Sequence, residues 1–202
     1  MSADTRSKSG LRAAPLAFLE AFVRDGKTIG AVSPTSRRVA GRMAALGRVA
    51  GARTVAEFGP GMGAITHELL ATMPADARLW GFEVYQPFVQ HLSETVTDPR
   101  FTLVAESAEM VTGVDTGMDE PGFDAIISSI PFSLIGPDLT GQIVDAVGKS
   151  LRPGAPFIAL QYHPTYLMPY LREHFEEVRR HPCLWNFPPV ILFRARNPRM
   201  AR

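Results

Sequence analysis

Apolar residues occur along the chain in short blocks that alternate between two kinds of pattern. After residue 53, continuous apolar runs of strand length are separated by stretches with helical spacing. Continuous runs are typical of strands that are buried on both faces, as in parallel sheets. The runs are TVAEF at 54–58, ARLWGFEV at 77–84, FTLVA at 101–105, FDAIISS at 123–129 and PFIALQY at 156–162.

Helical spacing predicts helices between and around these runs. We expect them at 64–73, 87–95 and 138–150, and a further one that begins near Thr35 or Ser36. Toward the C terminus the pattern predicts a helix around 169–177 and a strand around 190–195, the latter in an antiparallel edge pair. The alternation predicts an α/β fold with a doubly wound, mostly parallel sheet.

The N-terminal segment has a different pattern. Residues 1–10 are polar, and residues 11–25 place Leu16, Leu19 and Val23 on one side of an amphipathic helix. We therefore divide the chain into a leader with this helix, residues 1–35, and a domain at 36–202.

Composition narrows the class of protein. Hydrophobic residues make up 46% of the chain and charged residues 20%, which predicts a packed core rather than disorder. No apolar run reaches the length of a membrane span, and the first residues lack the pattern of a signal peptide. The single cysteine, Cys183, excludes an internal disulfide framework and a multi-cysteine zinc site. We expect no metal, and a cytoplasmic location.

Charge is unevenly distributed. Residues 1–53 carry 10 basic and 3 acidic side chains, residues 54–170 carry 4 and 14, and residues 171–202 carry 7 and 3. An acidic centre with basic ends argues against a uniformly basic nucleic-acid binder. It predicts that one or both ends face an anion, such as a membrane surface or phosphates.

A glycine-rich turn follows the first predicted strand. The segment 57–63 reads EFGPGMG and opens a helix, and Glu83 ends the next strand. Glycines allow a ligand to approach the backbone closely, and an acid at this second position accepts the hydroxyls of a ribose. The turn also matches G-x-G-x-x-[GA] of dinucleotide-binding proteins, which leaves an NAD-dependent oxidoreductase as an alternative. Glu57 disfavours that alternative because a carboxylate repels a pyrophosphate.

The pattern E-x-G-x-G-x-G resembles motif I of class I S-adenosylmethionine-dependent methyltransferases. Two later segments resemble other parts of that superfamily: AESA at 105–108 resembles the loop beside the adenine, and SSIPF at 128–132 resembles N-L-P-[FY] of the dimethyladenosine transferases. Ser129 stands where those enzymes have asparagine, which disfavours the second alternative, an RNA adenine N6-methyltransferase.

The variant with serine resembles the bacterial phospholipid N-methyltransferases, which methylate phosphatidylethanolamine toward phosphatidylcholine. The segments 27–36 (KTIGAVSPTS) and 185–190 (WNFPPV) are similar to N- and C-terminal motifs of the same family. The resemblance implies S-adenosylmethionine as cofactor, a phospholipid substrate and no nucleic-acid partner. It also implies peripheral attachment to the inner face of the cytoplasmic membrane. Helix 11–25 is a candidate anchor on anionic lipid, a candidate lid over the cofactor pocket, or both.

The resemblance assigns two groups of site residues. The cofactor is expected to contact Gly30, Ser33, Glu57, Gly59, Gly61, Gly63, Glu83, Val84, Glu106, Ser107, Ala108 and Ser128. The methyl acceptor is expected to meet Ser129, Pro131, Phe132, Tyr162 and His163. Within this second group, His163, or Tyr162 acting with water, is the candidate proton acceptor. Phe132, Tyr162, Tyr166 and Trp185 are candidates for cation–π contacts.

Overall fold

The computed structural model describes residues 35–117, 122–186 and 188–199. Helix 11–25, Gly30 and Ser33 lie outside these residues. The described part of the chain forms a seven-stranded sheet in the order β3-β2-β1-β4-β5-β7-β6. The strands are β1 Thr54–Phe58, β2 Arg78–Phe82, β3 Phe101–Val104, β4 Ala125–Ser128, β5 Phe157–Gln161, β6 Phe175–Cys183 and β7 Val190–Pro198.

Helices cover both faces of the sheet. They are α1 Arg37–Leu46, α2 Ala64–Thr72, α3 Gln86–Thr95, α4 Phe132–Ile135, α5 Pro137–Ser150 and α6 Met168–His174, with short 3₁₀ helices at Val49–Gly51 and Ala108–Gly113. One core cluster joins α1 and α2 to one face, and a second joins α5 and α6 to the other. Every residue of β1, β4 and β5 is buried, which explains their continuous apolar runs.

The predicted mostly parallel, doubly wound sheet is confirmed. Strands β1 to β5 pair in parallel, and β7 pairs antiparallel with both β5 and β6. The chain proceeds outward from β1 through β2 to β3 and then returns to β4 on the other side of β1. The carboxyl ends of β1 and β4 therefore flank the switch point, where ligands bind in open α/β sheets.

The predicted helix around 169–177 is wrong at its C-terminal end. It ends at His174, and Phe175 begins the nine-residue edge strand β6. Only the first and last residues of β6 are buried, so the strand lacks an apolar run. Its position is set by backbone pairing with β7, which residue patterning does not record.

Among the described helices, none is long and apolar enough to cross a bilayer.

Candidate active site

The glycine-rich turn connects the carboxyl end of β1 to the start of α2. Three glycines of the turn have positive φ, a backbone conformation that residues with a side chain rarely adopt: Gly59 at 71°, Gly61 at 59° and Gly63 at 82°. A Cβ on Gly59 would also lie 3.2 Å from Ile130 Cγ1 in the neighbouring loop. The three glycines thus leave a backbone cradle at the switch point.

Glu83 is tied to this cradle. Its Oε2 accepts a hydrogen bond from the N–H of Gly61 at 3.1 Å, and its Oε1 accepts from the N–H groups of Val84 and Tyr85, each at 2.9 Å. Burial raises the pKa of Glu83, and the three backbone donors oppose that rise. A carboxylate has about four acceptor positions, so one remains on Oε2 for a ligand hydroxyl.

Glu57 is a buried carboxylate without a partner. It is 1% exposed, and neither of its oxygens meets hydrogen-bond geometry with another described residue. Burial raises the pKa of Glu57 to about 8, the nearby Thr66 hydroxyl opposing this rise and the charge of Glu83 adding to it. An orphaned buried acid beside a second acid is costly unless a cation or donor meets it.

Ser129 joins the loop after β4 to the cradle. Phe58 and Ser128 are paired in register, so the residues that follow them leave the sheet side by side. The Ser129 hydroxyl donates to the Gly59 carbonyl at 2.6 Å, and the Ser129 N–H donates to the Phe58 carbonyl at 3.0 Å. The hydroxyl therefore holds the two loops together.

Gln161 was not predicted as a site residue, yet it fixes the loop at 128–132. It is 1% exposed at the end of β5. Its Oε1 accepts from the Phe132 N–H at 3.2 Å, and its Nε2 donates to the Ile130 carbonyl at 2.8 Å and also to that of Leu160. The sequence signal that could have identified Gln161 was its side-chain amide, which directly follows the apolar residues of β5.

Phe132 occupies a different environment from the one its predicted role requires. Its side chain is fully buried in the core cluster that contains α5 and α6. The ring therefore packs the interior instead of presenting an open face. Trp185 and Tyr162 are the exposed aromatic candidates, at 57% and 41%. Pro131, between Ile130 and Phe132, precedes α4 as its N-cap residue.

Tyr162 and His163 follow β5 at the same edge of the sheet. Although part of the Tyr162 side chain is exposed, desolvation of its phenol raises the pKa and the Asn186 side chain opposes that rise, so the phenol stays protonated at neutral pH. His163 Nδ1 accepts from the Tyr166 N–H at 3.0 Å. In the neutral ring the proton is then on Nε2, and the basic lone pair faces the backbone. This geometry disfavours the predicted role of His163 as proton acceptor.

The segments 27–36 and 185–190 meet where the structure describes both. The buried Asn186 accepts from the Ser36 N–H through Oδ1 at 3.1 Å and donates to the Pro188 carbonyl through Nδ2 at 3.0 Å. Ser36 in turn caps α1 by accepting from the Val39 N–H at 3.4 Å. Asn186 thus links the start of α1 to the loop beside Tyr162.

The loop predicted beside an adenine lies at the end of β3. Ser107 donates a short hydrogen bond to Glu109 Oε2 and precedes the 3₁₀ helix Ala108–Gly113. Glu106 is exposed and Ala108 is buried. Among the described residues, no group of three or more His, Cys, Asp or Glu side chains is arranged to hold a metal ion.

The structure is similar to solved methyltransferases. The first is 1,6-didemethyltoxoflavin-N1-methyltransferase from Burkholderia thailandensis with bound 1,6-didemethyltoxoflavin and S-adenosylhomocysteine, with a TM-score of 0.68 and 18% identity over 98% of this chain and 93% of that chain. The second is the N-methyltransferase NodS from Bradyrhizobium japonicum WM9 in complex with S-adenosylhomocysteine. Its TM-score is 0.65, with 19% identity over 83% of this chain and 90% of that chain. The third is precorrin-6y C5,15-methyltransferase from Geobacter metallireducens. Its TM-score is 0.63, with 18% identity over 81% of this chain and 89% of that chain.

These similarities concern the fold. The chain has the class I, Rossmann-like methyltransferase fold. No protein-family model and no curated protein sequence matches the chain.

Proposed function

We propose that the chain is an S-adenosylmethionine-dependent methyltransferase. The observation that carries this proposal is the pair of buried acids, Glu57 and Glu83, around the glycine cradle. S-adenosylmethionine supplies an activated methyl group on a positively charged sulfur and also carries an ammonium group. Both cationic centres suit a cradle with two acidic side chains, because a bound cation favours the ionised form of Glu57 that burial disfavours in the ligand-free chain. The ribose hydroxyls suit the acceptor position left on Glu83.

The same acids argue against a dinucleotide. A pyrophosphate at this turn would be repelled by the Glu83 carboxylate, and it would not offset the cost of burying the acid Glu57 as a cation would. Lysines are also scarce in the chain, at positions 8, 27 and 149, and no Tyr-x-x-x-Lys pair occurs. An NAD-dependent oxidoreductase therefore fits the site poorly.

For the acceptor, we propose the amino group of phosphatidylethanolamine and its partly methylated forms. Support comes from SSIPF at 128–132 and from the similarity of segments 27–36 and 185–190 to the phospholipid N-methyltransferases. The hydrogen bond between Ser36 and Asn186 gives those two segments a common place in the fold. The Ser129 hydroxyl donates its hydrogen bond to the Gly59 carbonyl, and serine lacks the amide group with which an asparagine would hydrogen-bond to the edge of an adenine.

The residues around the acceptor would act by alignment and desolvation. Gln161 holds the loop at 128–132, which presents the Ile130 and Pro131 backbone at the switch point. Methyl transfer needs the neutral amine, and exclusion of water favours that form over the ammonium. Tyr162, protonated at neutral pH, would offer a hydroxyl and an aromatic face to the growing positive charge. Alignment of the amine with the methyl group would provide most of the rate.

A lipid substrate would require the enzyme to act at a membrane surface. We propose that helix 11–25, with its apolar stripe and nearby arginines, attaches the protein peripherally to anionic lipid on the cytoplasmic face. Gly30 and Ser33 follow that helix in the sequence, and we propose that both contact the cofactor.

The decisive experiment incubates the purified full chain with methyl-labelled S-adenosylmethionine and separate pools of phosphatidylethanolamine vesicles and RNA. Label in the lipid pool alone is the expected result. Label in RNA alone would replace the lipid proposal with an RNA methyltransferase. Calorimetry with S-adenosylhomocysteine and NAD tests the cofactor separately, and tight NAD binding without S-adenosylhomocysteine binding would overturn the methyltransferase proposal.

A further inference from the structure

The two basic ends of the chain, where the structure describes them, meet on one face of the sheet. Helix α1 packs in the same core cluster as the buried residues at the C-terminal end of β6 and the N-terminal end of β7. The Arg42 guanidinium lies 5.8 Å from the centre of the Trp185 ring, in the loop between those strands. Charges that are far apart in sequence thereby become neighbours.

Arginines face each other directly across the β6–β7 pair. Arg179 and Arg194 are register partners, so both side chains project from the same face of the sheet. Like charges in this arrangement destabilise a strand pair unless a counter-charge lies between them. Burial lowers the pKa of Arg194, and the charges of Arg196, Arg48 and Arg179 lower it further, with Glu177 opposing. Arg194 is thus held among several positive charges.

Acidic side chains neutralise only some of the arginines on this face of the β6–β7 pair. Glu177 lies 3.0 Å from Arg179 Nε and 3.9 Å from an Arg196 terminal nitrogen. By contrast, three buried ring or guanidinium nitrogens have no hydrogen-bond partner among the described residues, namely Arg42 Nε, His181 Nε2 and Arg194 Nε. Buried polar atoms without partners are costly, and an anion that accepts from the Arg42 and Arg194 Nε–H groups would remove that cost for both.

We propose that the arginine cluster, formed by Arg42, Arg48, Arg179, Arg194 and Arg196, is a binding site for a phosphate group. Guanidinium groups donate in a planar fork that matches phosphate oxygens, and those of this cluster come from α1, the segment after it, β6 and β7.

The arginine cluster is separate from the glycine cradle. Arg194 and Arg196 lie on β7, three strands from β1, and Arg179 lies on β6, four strands from β1, which corresponds to roughly 14 and 19 Å at about 4.8 Å per strand. The site therefore does not depend on the proposed methyl transfer, and binding alone tests it. The phosphate would belong either to a lipid headgroup or to a free phosphate ester.

The test titrates the full chain with inorganic phosphate by calorimetry, with Trp185 fluorescence as a second signal. Arg194→Gln and Arg179→Gln should each weaken phosphate binding at least about tenfold, because each loses a charge-assisted hydrogen bond. The matched control is Arg78→Gln, an exposed arginine at the start of β2, which should bind phosphate like the native chain. The Arg179 side chain is 68% exposed, so its replacement leaves the fold intact even if Arg194→Gln unfolds the protein.

Calorimetry with a short-chain, water-soluble phosphatidylglycerol and with glycerol 3-phosphate distinguishes the two sources of phosphate without the vesicle attachment proposed for helix 11–25. Tighter binding of the phosphatidylglycerol, weakened in Arg179→Gln, would identify a lipid headgroup. Equal or tighter binding of glycerol 3-phosphate, weakened in Arg179→Gln, would identify a free phosphate ester. Absence of phosphate binding, equal binding in all three variants, or binding of an RNA oligonucleotide without binding of phosphate would overturn the proposal.

Discussion

The Ser129 hydroxyl donates a hydrogen bond to the carbonyl oxygen of Gly59 at 2.6 Å, and this contact joins the two loops at the switch point of the sheet. One loop carries the glycine cradle, and the other leads into the proposed acceptor site. The side chain that departs from the dimethyladenosine transferase pattern therefore uses its one hydroxyl proton inside the protein, and only its acceptor positions remain for a ligand.

Replacing Ser129 should loosen the cradle. We expect Ser129→Ala to weaken S-adenosylhomocysteine binding about fivefold, since one neutral hydrogen bond contributes about 1 kcal/mol. Calorimetry measures the affinity. Ser133→Ala, an exposed serine in α4, is the matched control and should leave the affinity unchanged. Equal affinities of the native chain and Ser129→Ala would show that the contact does not shape the cofactor site.

Glu83 should have a larger effect because it serves both the turn and the ligand. Glu83→Ala removes the acceptor for three backbone N–H groups and the proposed ribose contact. We expect S-adenosylhomocysteine affinity to fall by roughly 2–4 kcal/mol, together with a lower unfolding temperature. Glu173→Ala, on the exposed side of α6, is the control. An unchanged affinity would contradict the assignment of Glu83.

Gln161 should affect turnover more than cofactor binding, because its contacts go to the loop at 128–132 and not to the cradle. Gln161→Leu leaves the Phe132 N–H without its acceptor and the Ile130 carbonyl without its donor. We expect turnover on phosphatidylethanolamine to fall at least about tenfold, with S-adenosylhomocysteine affinity changed by less than about threefold.

Gln86 is exposed at the start of α3, and Gln86→Leu serves as the matched control for Gln161→Leu. Parallel losses of affinity and turnover in Gln161→Leu would mean that Gln161 supports the whole crevice and has no particular role at the acceptor.

Glu57 should make the stability of the ligand-free protein depend on pH. Its pKa rises from the ordinary 4.5 to about 8 in the folded chain. Between these values the folded state holds a proton that the unfolded chain releases. The free energy of unfolding should therefore fall as pH rises from about 5 to 8, by up to about 1.4 kcal/mol per pH unit. Glu57→Gln should reduce this slope, and urea unfolding across the pH range measures it.

The exposed Glu173→Gln should keep the native pH slope. Parallel slopes in the native chain and Glu57→Gln would show that Glu57 is not held protonated by its burial.

Removal of residues 1–25 tests the proposed anchor. We expect the truncated chain no longer to sediment with anionic vesicles. Each Lys or Arg near such a surface contributes about 1 kcal/mol to attachment, and the apolar stripe as a whole contributes at most a few kcal/mol. Binding should weaken with salt in the native chain, as electrostatic attachment does. Sedimentation of the truncated chain equal to that of the native one across a salt series would place the membrane contact elsewhere.

Strands β1 to β5 and helices α1 to α3 and α5 followed from the sequence because burial on both faces or on one helical stripe requires apolar residues at fixed spacing. The glycine-rich turn and Glu83 were equally visible, since their roles depend on backbone angles and on position at a strand end. Strand β6 was missed because an edge strand pairs through its backbone, and FEEVRRHPC has no apolar run to mark it.

Tertiary structure alone decided which side chains meet. Gln161 and Ile130 are 31 residues apart, Ser129 and Gly59 are 70 apart, and Ser36 and Asn186 are 150 apart. Register between strands and the packing of α1 bring these pairs together, and neither leaves a periodic signal in the chain. The arginine cluster has the same origin: the sequence determined that both ends are basic, and the sheet order placed α1 beside β6 and β7 so that their charges converge.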